Sequence, residues 1–357
     1  MKKTILALAV LGAFAGAAQA QTNVTIYGVV DAGVAYESGG ANGSVWNLAT
    51  GVQSGNRLGF KGTEDLGGGL KAGFQIENGF NLDTGTQRQG ALFGRQAHVG
   101  LSGAFGAVRF GRQYDPLFLA LDSIDPFGTG LTGATTNLMA AGTFGATATA
   151  AGAFGSADVR VNNAVTYSTP AMGGFSANIL YGFGEVAGDT AKNRTYSLSA
   201  NYANGPLAAV LAYSSNNNGT AAAAVTNTTK VMLLGGTYNL GPATAHLGYE
   251  TEKNDAGADY RDWMLGVSAP AGGGTVMASY IKKTDKSAAA NNGAKQYAFG
   301  YTYPLSKRTN VYTSYGHISN DSAARYVVGD ASGGGANSVP NAGNSSSSLA
   351  VGIRHTF

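Results

Sequence analysis

Four histidines and no cysteine in 357 residues leave few routes to covalent chemistry. A nucleophile needs a base within hydrogen-bond reach and a third group to orient that base. His98, His246, His317 and His355 each fall in a stretch of alternating apolar and polar residues, and His355 lies on the apolar face of its stretch. No HExxH, GxSxG or Walker-type spacing occurs, so the sequence points to no catalytic residue, no metal site and no cofactor. The informative charges are of another kind. Arg57 alternates with Leu58 and Phe60, and Arg160 with Val161, Val165 and Tyr167, so both guanidiniums face away from the apolar side. Asp115, Asp122 and Asp125 lie on one intervening long segment. Guanidiniums facing carboxylates across water make an electrical filter for ions and dipolar solutes. The competing role of Asp115 and Asp125 is turn chemistry, because each precedes a proline.

The elements that must position these charges begin with an export signal. Lys2 and Lys3 precede an apolar run from Ile5 to Ala15, and Ala18-Gln19-Ala20 supplies a small-x-small cleavage site. Residues 1–20 are expected to be removed, so that the mature chain starts at Gln21. Without Lys2 and Lys3 the formal charge falls from +3 to +1, too balanced for a nucleic-acid partner. No later apolar run reaches the roughly 20 residues of a membrane-spanning helix, so any span must be made of strands. Fifty-five glycines, 18 tyrosines and 15 phenylalanines beside 12% charged residues suit many short strands around a hollow interior.

Period-two alternation is plain in "QYAFGYTYP", "FSANILYGF" and "GLKAGFQIEN". Tight turns such as Gly67-Gly68-Gly69 and Asn204-Gly205-Pro206 alternate with long polar loops. Sixteen candidate strands begin near residues 24, 52, 70, 91, 107, 161, 175, 194, 207, 229, 243, 259, 274, 295, 309 and 347. The expected fold is therefore all-β, a 16-stranded antiparallel transmembrane barrel over residues 21–357 with an aqueous lumen. Arg57 and Arg160 belong inside it, since a lipid-facing arginine at mid-bilayer costs ~2–4 kcal/mol. The segment from about 114 to 160 holds too many apolar residues to float in water, and is expected to fold inward. The final strand "SLAVGIRHTF" puts Leu349, Val351, Ile353, His355 and Phe357 on one face.

"NRLGFKGTEDLGGGLKAGFQIE", "FGRQAHVGLSGAFGAVRFGRQYDPL", "DPFG", "RVNNAVTYSTP" and the terminal Phe together resemble the trimeric general porins of Gram-negative outer membranes, closest to their β-proteobacterial branch. The resemblance covers essentially the whole mature chain. It implies a homotrimer in outer-membrane lipid and lipopolysaccharide, whose third loop narrows the pore. Pro126-Phe127-Gly128 matches the loop tip, and Phe357 matches the signal read by the barrel assembly machinery. By the same resemblance Arg57, Arg95 and Arg160 form the basic wall of the constriction and Asp115, Asp122 and Asp125 its acidic loop. Alternation does not choose a face for Arg95, which shares parity with Ala97, Val99 and Leu101. Lys61, Lys71 and Glu77 share lumen parity and are secondary candidates, nearer a rim.

The implied function is a diffusion channel for small hydrophilic solutes and ions, with mild anion preference. Two alternatives stand beside it, a substrate-specific channel and a barrel enzyme. Sugar-specific pores line a wall with aromatics, whereas lumen-parity aromatics are few here, Tyr27 among them.

Overall fold

The computed structural model describes residues 23–140, 159–217, 227–288, 291–331 and 339–357; the expected export signal lies outside them. Seventeen antiparallel strand segments form one sheet. They are β1 Asn23–Gly40, β2 Gly43–Thr50, β3 Arg57–Gly67, β4 Leu70–Gly79, β5 Gln96–Gly103, β6 Gly106–Tyr114, β7 Arg160–Ser168, β8 Phe175–Gly182 and β9 Thr195–Asn204. The rest are β10 Leu207–Asn217, β11 Thr228–Asn239, β12 Thr244–Asn254, β13 Asp259–Ala271, β14 Gly274–Asp285, β15 Ala294–Pro304, β16 Thr309–Asn320 and β17 Ser346–Thr356. Fourteen of the sixteen expected strand starts fall within one residue of an observed start. The other two differ for local reasons. The strand expected near 91 begins at Gln96, after an irregular stretch, and the one expected near 52 is split.

That split reconciles seventeen segments with sixteen positions. One edge of β1 pairs with β17, from Val29↔Thr356 to Ser38↔Ser347. Its other edge pairs with β3 over Asn23–Val29 and with β2 over Ala32–Gly40. β2 and β3 therefore share one position in a closed ring of sixteen, interrupted at residues 51–56. The chain end completes the ring: Gly28 donates to the Phe357 carbonyl at 3.1 Å, and Phe357 donates back at 3.2 Å. Closure satisfies the backbone groups that an open edge would leave bare in lipid.

Alternation decides the faces. Leu234 and Phe299 are 56% and 61% exposed, while their neighbours Leu233 and Ala298 are fully buried. The exposed apolar residues form the outward row that a membrane barrel turns to lipid, and among the described residues no helix is long and apolar enough to span a membrane.

Helix α1, Pro116–Ile124, starts because Asp115 caps it and proline occupies its first turn. Leu117, Leu121 and Ile124 recur at helical spacing and pack against Val210, Ala212, Val231, Leu233 and Met264. The chain then crosses to β15, β16 and β17. Only a segment on the concave side reaches strands so far apart around the ring. The wall is hollowed to receive it: a Cβ at Gly266 would meet Pro126 at 2.7 Å, and one at Gly316 the Thr132 carbonyl at 2.2 Å.

Three attachments hold this segment. Leu131 donates to the Val52 carbonyl at 2.7 Å, a group the strand interruption leaves unpaired in the ladder. Thr132 Oγ1 bonds Ser314 Oγ at 3.0 Å. At the far end the Lys283 ammonium donates to the Leu138 carbonyl at 3.0 Å, and the Ala140 amide donates to Glu250 at 2.6 Å. Lys283 also meets Asp262 at 2.8 Å and Glu252 at 3.2 Å. The carboxylate oxygens of Glu250, Glu252 and Asp262 lie within 4.8 Å of one another. The Lys283 ammonium stands among them as their cation, which makes the cluster a latch for the loop.

Lys283→Met strands three buried carboxylates, and removing one partner of a buried pair costs about 3–5 kcal/mol. Thermal unfolding of the detergent-solubilised protein is expected to show a lowered midpoint, with the exposed Arg325→Gln variant unchanged.

Candidate functional site

Two of the three arginines converge on one hydroxyl. Tyr114 ends β6, and its OH accepts from Arg95 Nη2 at 2.6 Å and from Arg160 Nη2 at 2.7 Å. The Arg160 guanidinium also lies over the Tyr114 ring, 4.3 Å from its centroid. Alternation from Arg109 would send Tyr114 outward. The pleat is broken at Gly111, whose φ is +124°, and the register with β7 shifts between Gly111 and Gln113; beyond this irregularity the ring lies in the lumen. A bulge of this kind has no reliable mark in the sequence, and Tyr114 is the residue that sequence reasoning missed.

Arg57, at the start of β3, donates Nε–H to the Gly55 carbonyl at 3.0 Å and lies within electrostatic range of Arg95, Arg160 and Glu77. Arg95 precedes β5 rather than lying in it, which is why alternation chose no face. It is buried, with Nε 2.6 Å from Glu77 Oε1. Glu77 is not near a rim as expected. It sits under the cluster, buried, and also accepts from Tyr27 OH at 2.9 Å. The three arginines thus divide: Arg95 is consumed by Glu77 and Tyr114, while the partly exposed Arg57 and Arg160 present charge to the lumen. Three guanidiniums against one carboxylate leave a net positive wall.

The loop acids depart from expectation. Asp115 is buried; it accepts from Leu117 N at 2.8 Å, from Ser214 Oγ at 3.2 Å and from Ser197 Oγ. Asp125 is buried too, accepting from the amides of Phe127, Thr129 and Thr135 at 2.9, 3.0 and 2.8 Å. Burial pushes Asp115 upward in pKa and Asp125 up to about 6, against the pull of those donors. Both carboxylates are spent on loop architecture, the turn role open to an aspartate before proline. Asp122, with no proline after it, is half-buried and accepts from Thr129 Oγ1 at 2.7 Å. It is the loop acid left near the lumen.

At the tip, Pro126 and Phe127 are wall anchors, Phe127 buried among Leu131, Met277 and Ala298. Gly128 takes the left-handed conformation at φ +56° that the turn requires. Lys61 lies 5.1 Å from the Tyr27 ring centroid. Lys71 is exposed opposite Asp65, close to the Gly67–Gly69 turn. The Phe357 ring covers Gly28 at the barrel seam.

A closed sixteen-position barrel, apolar outside and charged inside, with an internal loop against its wall, defines an outer-membrane channel of the porin class. Residues 7–323 match the family model described as Gram-negative porin. The chain is 39% identical to outer membrane porin protein 32 of Delftia acidovorans and 35% identical to an outer membrane porin protein of Bordetella pertussis, each alignment spanning both chains fully. Its fold superposes on an anion-selective porin from Comamonas acidovorans with a TM-score of 0.81 and 34% identity, covering 94% of this chain and all of the other. The trimer form of Vibrio cholerae OmpT shares the fold, with a TM-score of 0.69 at 16% identity, over 94% of this chain and 99% of that one. The chain belongs to the Gram-negative porin family, and its place is the outer membrane.

Charge-assisted bonds of this kind contribute about 1.5–3 kcal/mol. A double-mutant cycle of Tyr114→Phe with Arg160→Gln, read by denaturant unfolding, is expected to show coupling of that size; additivity within ~0.5 kcal/mol would mean that the bridge carries no energy.

Proposed function

We propose that this porin works as a homotrimeric, passive diffusion channel with mild anion preference, exported by residues 1–20 and without enzymatic activity. The observation that carries the reading is the unequal fate of the charges. Arg57 and Arg160 keep guanidiniums at the lumen, while Asp115 and Asp125 are buried in the loop. In this reading Arg57 and Arg160 meet the solute, Arg95 positions Arg160 through Tyr114, and Asp122 is the opposing acid. A narrow, water-filled gap with this balance attracts anions and orients dipolar solutes without gripping either. The Comamonas porin is itself described as anion-selective, which supports the sign.

The trimer rests on kinship with trimeric porins and on the outer face of β1, where Ile26 and Val34 stand exposed. Lipid and lipopolysaccharide cover the remaining outer face, and Phe357 addresses the barrel assembly machinery.

Purified protein in a planar bilayer under a potassium chloride gradient is expected to give reversal potentials of anionic sign, with conductance steps in threes. Arg57→Gln with Arg160→Gln moves the anion-to-cation ratio toward unity. Asp122→Asn raises it, whereas Asp115→Asn and Asp125→Asn lower the unfolding midpoint and keep the sign. Cation preference in the unaltered protein would sink the reading.

A further inference from the structure

A second basic level lies on the same wall, between the arginine cluster and the short-turn rim. Along β4, lumen-facing positions run from Glu77 through Gln75 to Gly73, about 13 Å in four residues. Gly73 pairs with Gly100 on β5; Gly73 opens onto free space, while Arg109 lies close against Gly100. At this level lies a hollow of about 430 Å³ in the inner wall. It is flanked by Lys61 on β3 and Arg109 on β6, with Thr25, Gln75 and Ser102 between them.

Neither cation is neutralised. Among the described residues Lys61 makes only its contact with the Tyr27 ring, and Arg109 donates to Ser168 Oγ at 3.3 Å, with no carboxylate on either. Two uncompensated cations flank a recess whose other walls supply hydroxyl and amide donors. Such a recess fits a small oxyanion of charge near two, whose several oxygens engage both cations at once. A diffuse vestibule field would need no recess, and a recess for neutral solutes would need no cations.

We infer that Lys61 and Arg109 with the Gly73–Gly100 hollow form a weak binding station for small multivalent oxyanions, separate from the filter at Arg57 and Arg160. The inference rests on the proposed channel function and adds a dwell site below it. An anion released by the filter transfers to this station before leaving, so the station saturates where the filter alone would not.

The probe is inorganic phosphate, titrated against chloride current through single channels of the full trimer. Two variants test different parts of the site. Lys61→Gln with Arg109→Gln removes the charges. Gly73→Val fills the hollow and leaves the charges, and its Cβ has room, the nearest atom being the Gly62 carbonyl oxygen at 3.4 Å. Both are expected to raise the half-inhibitory phosphate concentration at least fivefold while anionic reversal potentials persist. Should Gly73→Val fail to form heat-resistant trimers, Gly73→Ser takes its place. A shift in the charge variant alone would overturn the site in favour of a diffuse field, and no shift in either would overturn it outright. Cation preference in the unaltered channel would instead defeat the underlying reading of the filter.

Discussion

Hydrocarbon offers no partner to a peptide group, so each strand facing lipid must be bonded along both edges. β1 carries that constraint for the whole ring. β17 covers one edge and β2 with β3 covers the other, so the first and last strands become neighbours. The cover on the second edge is incomplete, and the gap at residues 51–56 is satisfied from within. The Asp31 carboxylate accepts from Gln53 N at 2.9 Å and Ser54 N at 2.7 Å, and Tyr312 OH reaches the same group at 2.6 Å. The Val52 carbonyl then receives Leu131 from the internal loop. Closing the wall and placing the loop are thus parts of one hydrogen-bonding solution.

The filter follows from what that solution leaves exposed. Burying a charge demands partners, and each buried charge at the site has them: Arg95 has Glu77 and Tyr114, Asp125 has three amides, and Lys283 has two carboxylates and a carbonyl. Arg57 and Arg160 keep part of their surface open to water. A field from a guanidinium held by the tyrosine that Arg160 shares with Arg95 is preorganised, so a passing ion finds it already in place. Selectivity of this sort discriminates by sign and size, which suits a passive pore.

Much of this was legible in the residues alone. Alternation located fourteen strand starts because lipid on one side and water on the other leave no ambiguity about which residue faces where. The same periodicity put Arg57 and Arg160 inside. It failed where the backbone departs from regular pleating: at the interruption in the second strand position, at Arg95 ahead of β5, and at the irregularity beyond which Tyr114 lies in the lumen. It also could not separate Asp115 and Asp125 from Asp122. Whether a carboxylate caps a helix or faces a pore depends on amides and hydroxyls brought from β9, β10 and residues further along the loop. Those contacts are properties of the closed barrel rather than of any local stretch.

The interruption between β2 and β3 is a shared anchor. Its Val52 carbonyl receives Leu131 of the loop, and its Gly55 carbonyl receives the Arg57 guanidinium. One short irregular wall segment thus touches both the loop and the basic wall, so any change within it reaches both at once.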